Sequence, residues 1–146
     1  MTFTPKTVDF AARVRESFAR QPVMKTCGIE LVSVEPGEVA FTLRNAPELT
    51  QQHGFVHAGI LATALDSACG FAAFSLMPAD AGVLTIEFKI NLLAPARGEL
   101  FEVRGRVVKA GRTITVTEAS ATEAGKLVCT MTATVMTIVD RVGVAG

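Results

Sequence analysis

The spacing of apolar and polar positions changes along the chain, and each change predicts an element. Over residues 7–20, Val8, Ala11, Ala12, Val14, Arg15 and Phe18 fall near helical spacing, which predicts an amphipathic helix ending before Pro22. Two runs of strand character follow, about 28–35 and 38–44, joined across Pro36-Gly37. Residues 46–56, with a proline, two glutamines and a glycine, read as a loop. From about 57 to 77 the chain is apolar on nearly every side, the pattern of a helix that is buried almost all round and closed by Pro78. Beyond it the period becomes two. Leu84, Ile86, Phe88, Ile90 and Leu92 alternate with Thr85, Glu87, Lys89 and Asn91 over 83–93. Phe101, Val103 and Val107 alternate with Glu102, Arg104 and Arg106 over 100–109. Two Val- and Thr-rich runs, 112–122 and 127–139, follow hairpin signals at Ala110-Gly111 and Ala124-Gly125, and the tail 140–146 reads as loose.

This order predicts an α+β domain with a largely antiparallel sheet. A helix without a polar face must be wrapped by a curved sheet, or covered by something else as well. The 146 residues suit one domain, 1–146. At 49% apolar and only 19% charged residues, the composition points to a membrane or to surface buried by self-association. Fourteen basic residues balance fourteen acidic ones, so no global field exists to hold nucleic acid or an anionic membrane. The first twenty residues carry acids and no continuous apolar run, so no secretory signal is expected and the expected location is cytoplasmic. Cys27, Cys69 and Cys129 lack metal-ligand or redox spacing and read as reduced packing residues. Cys69 is a conceivable nucleophile, but no base stands at suitable spacing from it.

The stretch "TQQHGFVHAGILATALDSACGFAAF", residues 50–74, holds one formal charge, Asp66. One reading is a transmembrane helix, but a central Asp costs roughly 2.5–3.5 kcal/mol on insertion scales and no Lys or Arg cluster flanks the segment. A second is a structural carboxylate satisfied by backbone or a neighbouring side chain. The third is a site carboxylate, acting as general base or nucleophile. The loop "GFVH" runs straight into the helix, so free N–H groups near Ala58 and Gly59 would point out of a positive helix terminus, a place for a developing oxyanion. Ala58 and Asp66 are eight residues apart, about 12 Å along a helix at roughly 1.5 Å per residue. One carbonyl cannot lie about 3 Å from both. A second copy with its helix antiparallel would bring its Asp66 to this chain's Ala58, giving two sites per twofold dimer.

Gln51, then His57-Ala58-Gly59 six residues on, then Asp66 nine residues after His57, resembles the signature of hotdog-fold acyl-CoA thioesterases of the phenylacetate-degradation (PaaI-like) type. The strand "TIEFKINLLAPARGE" is similar to that family's strand after the helix, and the order of elements matches over about 24–139. The resemblance implies a hotdog fold, an antiparallel curved sheet around one long central helix. It implies homodimers, and tetramers built from them, with sites between protomers. It implies hydrolysis of an aryl- or alkyl-CoA with no metal and no bound cofactor. By position, Asp66 would be the base or nucleophile and the Ala58 N–H the oxyanion donor. Gln51 would hydrogen-bond substrate or water, and Thr85 would position water. The departure is Ala58, which stands where the family has glycine and puts a methyl in the path of the acyl group. His57 would chiefly fix the loop, His53 would be structural, and Gly59 and Phe55 would line the substrate path. Lys109 and Arg112 on one hairpin, and Arg97 in another turn, are candidates for the CoA phosphates. The remaining alternatives are a hotdog dehydratase, whose own motifs are missing, and a non-catalytic acyl-CoA binding or sensing module.

Overall fold

The computed structural model describes residues 2–144 and Gly146. Helix α1 spans Phe10–Ala19 and a short α2 spans Pro22–Thr26. Strands β1 (Ile29–Glu35) and β2 (Glu38–Arg44) precede a single 3₁₀ turn at Pro47–Leu49 and the long helix α3, Ala58–Phe74. Strands β3 (Ala81–Leu92), β4 (Leu100–Ala110), β5 (Ile114–Glu123) and β6 (Lys126–Val139) complete the chain.

Two differences from the expected elements have local causes. Pro22 does end the first helix, but it also opens α2 as its first residue, where a fixed φ suits a helix and no amide donor is needed. The long helix stops at Phe74 rather than at 77. Leu76 and Met77 continue it only as tight turns, with their amides bonded three residues back at 3.0 Å.

All six strands pair antiparallel in the order β1-β2-β4-β5-β6-β3. The chain therefore carries α3 across the sheet and lays β3 on the far edge, beside β6. Register shifts at Leu31/Ser33, Thr85/Glu87, Val107/Lys109 and Ala121/Thr122 bend the strands and curl the sheet around the helix. Leu65, Ala68, Cys69 and Ala72 of α3 are fully buried against this concave face, together with Phe101, Val103 and Val135 from the strands. Small residues let the helix sit close. A Cβ on Gly105 of β4 would lie 2.4 Å from the Ala68 carbonyl oxygen, so this crossing point requires glycine.

Helix α1 covers one end of the sheet through Phe18, whose ring lies 5.2 Å from Phe41 and 5.8 Å from Phe71. Arg13 closes the C-terminal end of α3. It donates to the carbonyls of Met77 and Pro78, both at 3.1 Å, and stacks 4.6 Å above the Phe74 ring.

Helix α3 is not buried all round within one chain. Ala58, Gly59, Ala62, Thr63, Asp66 and Ser67 form a stripe that the sheet leaves half-buried or exposed. Beside it runs the unpaired edge of β3, where Phe88 is 44% and Leu92 53% exposed. No helix among the described residues is long and apolar enough to cross a membrane.

Candidate active site

The loop before α3 is built on its own backbone. The Gln51 amide donates to the Phe55 carbonyl at 2.9 Å, and the Gly54 amide returns to the Gln51 carbonyl at 3.0 Å. The Gln51 side chain folds into the same loop, its Oε1 accepting from the His53 amide at 2.5 Å and from the Phe55 amide at 3.4 Å. This uses the carbonyl end of the side chain and turns no donor inward, so the Nε2 hydrogens stay available.

His57 is the N-cap of α3, with extended backbone (φ −60°, ψ 136°) and its Nδ1 accepting from the Gly59 amide at 2.8 Å. An Nδ1 that accepts carries no proton, so this nitrogen is committed to the helix end. One expectation is thereby corrected. Of the two free amides anticipated at the terminus, Gly59's is capped, and Ala58's alone finds no acceptor among the described residues. Histidine is an uncommon cap, and nothing in its spacing announces the bond.

Asp66 lies half-buried on the open stripe of α3. Its Oδ1 accepts from Thr85 Oγ1 at 2.8 Å. The register shift at Thr85/Glu87 matters here, because it turns Thr85 toward the helix at the edge of the sheet. The second carboxylate oxygen has no partner among the described residues.

The two halves of the chemistry occupy separate cavities of the one chain. Ala58, Gln51, Phe55 and His57 line a cavity of about 460 Å³ that is closed on the other side by Leu92 to Ala96. Asp66 and Thr85 line another of about 320 Å³, with Thr63, Ser67, Gly70 and Phe71. Thr63, Ser67 and Gly70 were not singled out from the sequence. Thr63 and Gly70 stand three residues before and four after Asp66, so the helical period already places them on its face, and Ser67, four after Thr63, runs alongside.

The candidate cations divide. The Arg97 guanidinium stacks 4.4 Å over the Phe55 ring, next to the Ala58 cavity. The hairpin that carries Lys109 and Arg112 joins β4 to β5 against Leu76 and Met77, at the far end of α3 from Ala58 of the same chain. Cys69 is fully buried, and burial pushes its thiol up to about 12 against a smaller opposing contribution from the Thr117 side chain, which removes it as a nucleophile. Among the described residues no group of three or more His, Cys, Asp or Glu side chains is placed to hold a metal ion.

A family model described as the thioesterase superfamily matches residues 53–130, which include the end of the loop from His53 on, α3 and the Asp66–Thr85 pair, and begin just after Gln51. A solved thioesterase family protein from Silicibacter pomeroyi is 54% identical, covers 89% of this chain and 98% of its own, and superposes with a TM-score of 0.86. Acyl-coenzyme A thioesterase 13 of Homo sapiens is 31% identical over 103 residues, 68% of this chain and 73% of its own. A 1,4-dihydroxy-2-naphthoyl-CoA hydrolase of Listeria monocytogenes is 29% identical over 108 residues, 73% of this chain and 88% of its own.

Proposed function

This chain belongs to the thioesterase superfamily as a hotdog-fold thioester hydrolase, and on that premise we propose that it cleaves acyl-CoA in sites shared by two copies. The observation that carries this reading is the separation of the oxyanion donor and the carboxylate into two cavities of one chain. Eight helical residues put them about 12 Å apart at roughly 1.5 Å per residue. A second copy joined along β3, with its α3 antiparallel, unites one chain's Ala58 cavity with the other's Asp66 cavity. The same arrangement covers the apolar β3 edge, an exposed feature that a soluble chain does not leave unpaired at such length.

Asp66 acts as general base in this scheme. It takes a proton from water as the water oxygen attacks the thioester carbonyl, and the carbonyl electron pair moves onto oxygen. The partner copy's Ala58 N–H, at the positive end of a helix, donates to that oxyanion. Collapse of the tetrahedral intermediate breaks the C–S bond, and the departing CoA thiolate recovers the proton from Asp66. Thr85 holds the carboxylate, and Gln51 Nε2 donates to the substrate carbonyl or to the attacking water. The β3 edge makes the dimer, and tetramers would arise by pairing such dimers. The CoA phosphates pass Arg97 at the cavity mouth, while Lys109 and Arg112 can reach them only from the partner copy.

The test is thiol release from a panel of aryl- and alkyl-CoA esters by the wild type and by Asp66→Asn, which keeps size and hydrogen bonding but removes the charge. Loss of a general base lowers kcat by about 10² to 10⁴. Equal rates in the two proteins would remove Asp66 from the chemistry.

A further inference from the structure

Gly70 stands where neither backbone nor packing asks for glycine. It lies well inside α3, outside the left-handed region, and glycine is among the poorest helix formers. Gly105 has a visible reason, since the Ala68 carbonyl would collide with any side chain there. At Gly70 a Cβ would meet no heavy atom within 4 Å. The residue itself is buried from solvent, so its backbone is covered although only open space lies in front of its Cβ position. That space belongs to the cavity beside Asp66, with walls that include Phe71, Val83 and Val23. Gly70 follows Asp66 by four residues, on the same face and about 6 Å further along the axis at roughly 1.5 Å per residue.

We propose that Gly70 determines acyl specificity: by presenting no side chain, it keeps the Asp66 cavity deep enough for an acyl group that runs about one helical turn past its carbonyl. The class this selects is an aryl or medium-length aliphatic acyl group over one of acetyl size. The inference rests on the reading that the thioester carbonyl lies at Asp66. From there the sulfur points toward the Ala58 cavity of the partner copy, and the acyl group points along α3 over Gly70. Phe71 and Val83 give that group an apolar bed, and Thr63 and Ser67 remain nearer the carbonyl.

The experiment compares wild type, Gly70→Ala and Gly70→Leu on acetyl-, hexanoyl- and phenylacetyl-CoA. Binding of the thioethers methyl-CoA and hexyl-CoA, which cannot be hydrolysed, is measured in parallel by calorimetry, with the oligomeric mass by sedimentation. In Gly70→Leu the ratio of kcat/KM for the two larger esters over acetyl-CoA falls tenfold or more, in line with roughly 10- to 200-fold per methylene misfit in an apolar pocket. The affinity ratio of hexyl-CoA over methyl-CoA falls with it, and Gly70→Ala moves both ratios the same way by less. Unchanged ratios in both variants overturn the proposal. So does a Gly70→Ala protein that loses its dimer, because the glycine would then serve close packing between copies. Should Gly70→Leu fail to fold, Gly70→Ala decides, since alanine is favoured inside a helix. If the wild type cleaves none of the esters, the catalytic reading fails while the thioether ratio still decides Gly70. A wild type that binds neither thioether overturns both.

Discussion

Thr85 Oγ1 donates to Asp66 Oδ1 across 2.8 Å, joining a bulged position on the edge strand β3 to the middle of α3. The bond orients the carboxylate without using its second oxygen, which is left to face the cavity. A hydrogen bond to a charged group contributes about 1.5–3 kcal/mol. Thr85→Val keeps the shape of the side chain and removes the donor, so kcat should fall roughly tenfold or more, with KM little changed. Thr85→Ser, which restores the hydroxyl, should recover most of the loss. Steady-state kinetics on one acyl-CoA decide it, and a Val variant as fast as wild type would reduce Thr85 to a bystander.

Gly105 and Gly70 should respond to the same substitution in opposite directions. A methyl at Gly105 would sit 2.4 Å from the Ala68 carbonyl oxygen, in backbone that cannot yield without moving α3 off the sheet. Overpacking of this kind costs about 1–3 kcal/mol, so Gly105→Ala should melt several degrees below wild type. Gly70→Ala meets open space in a helix interior and should melt as high as wild type or higher. Thermal unfolding at one protein concentration measures both. A Gly105→Ala protein that melts with the wild type would mean that α3 does not bear on β4 at this point.

The strands were legible because burial on one face of a sheet imposes a period of two. Phe101, Val103 and Val107 all point to the core, and the observed bounds of β3 to β6 lie within two residues of those expected. The placement of β3 at the far edge was not legible, since pairing order depends on long-range closure and leaves no local pattern. The apolar pattern of the long helix predicts burial almost all round, by the sheet or by something else as well, but does not say which side the sheet covers. Ala58, Gly59, Ala62 and Ala64 look alike in sequence, and only the sheet's position separates the covered Ala64 from the open Ala58 and Gly59. Asp66 is visible as a lone charge, and Thr85 only through its position in the strand that resembles the family's. The His57 cap was missed for a different reason. It depends on a ring nitrogen meeting an amide two residues on, a matter of rotamer that apolar periodicity does not encode.

The buried thiols make stability depend on alkaline pH. Burial pushes Cys69 up to about 12 and Cys129 up to about 11, from an ordinary value of 9.0. Below pH 9 both states keep these protons and the thiols add no pH dependence. Above pH 9 the unfolded chain releases protons that the folded chain retains. The unfolded state then binds fewer protons, and stability falls as pH rises. For each thiol the loss approaches about 1.4 kcal/mol per pH unit, continuing to about pH 11 for Cys129 and about pH 12 for Cys69. Urea unfolding at fixed protein concentration should therefore show a lower midpoint at pH 10 than at pH 8. Cys69→Ala removes the group with the larger shift of the two. It should start lower at pH 8, because a core side chain has been shortened, and then lose less stability than the wild type between pH 8 and 10. Equal losses in the two proteins would mean that the Cys69 thiol ionises as freely in the fold as in the open chain, which its complete enclosure by α3 and the sheet argues against.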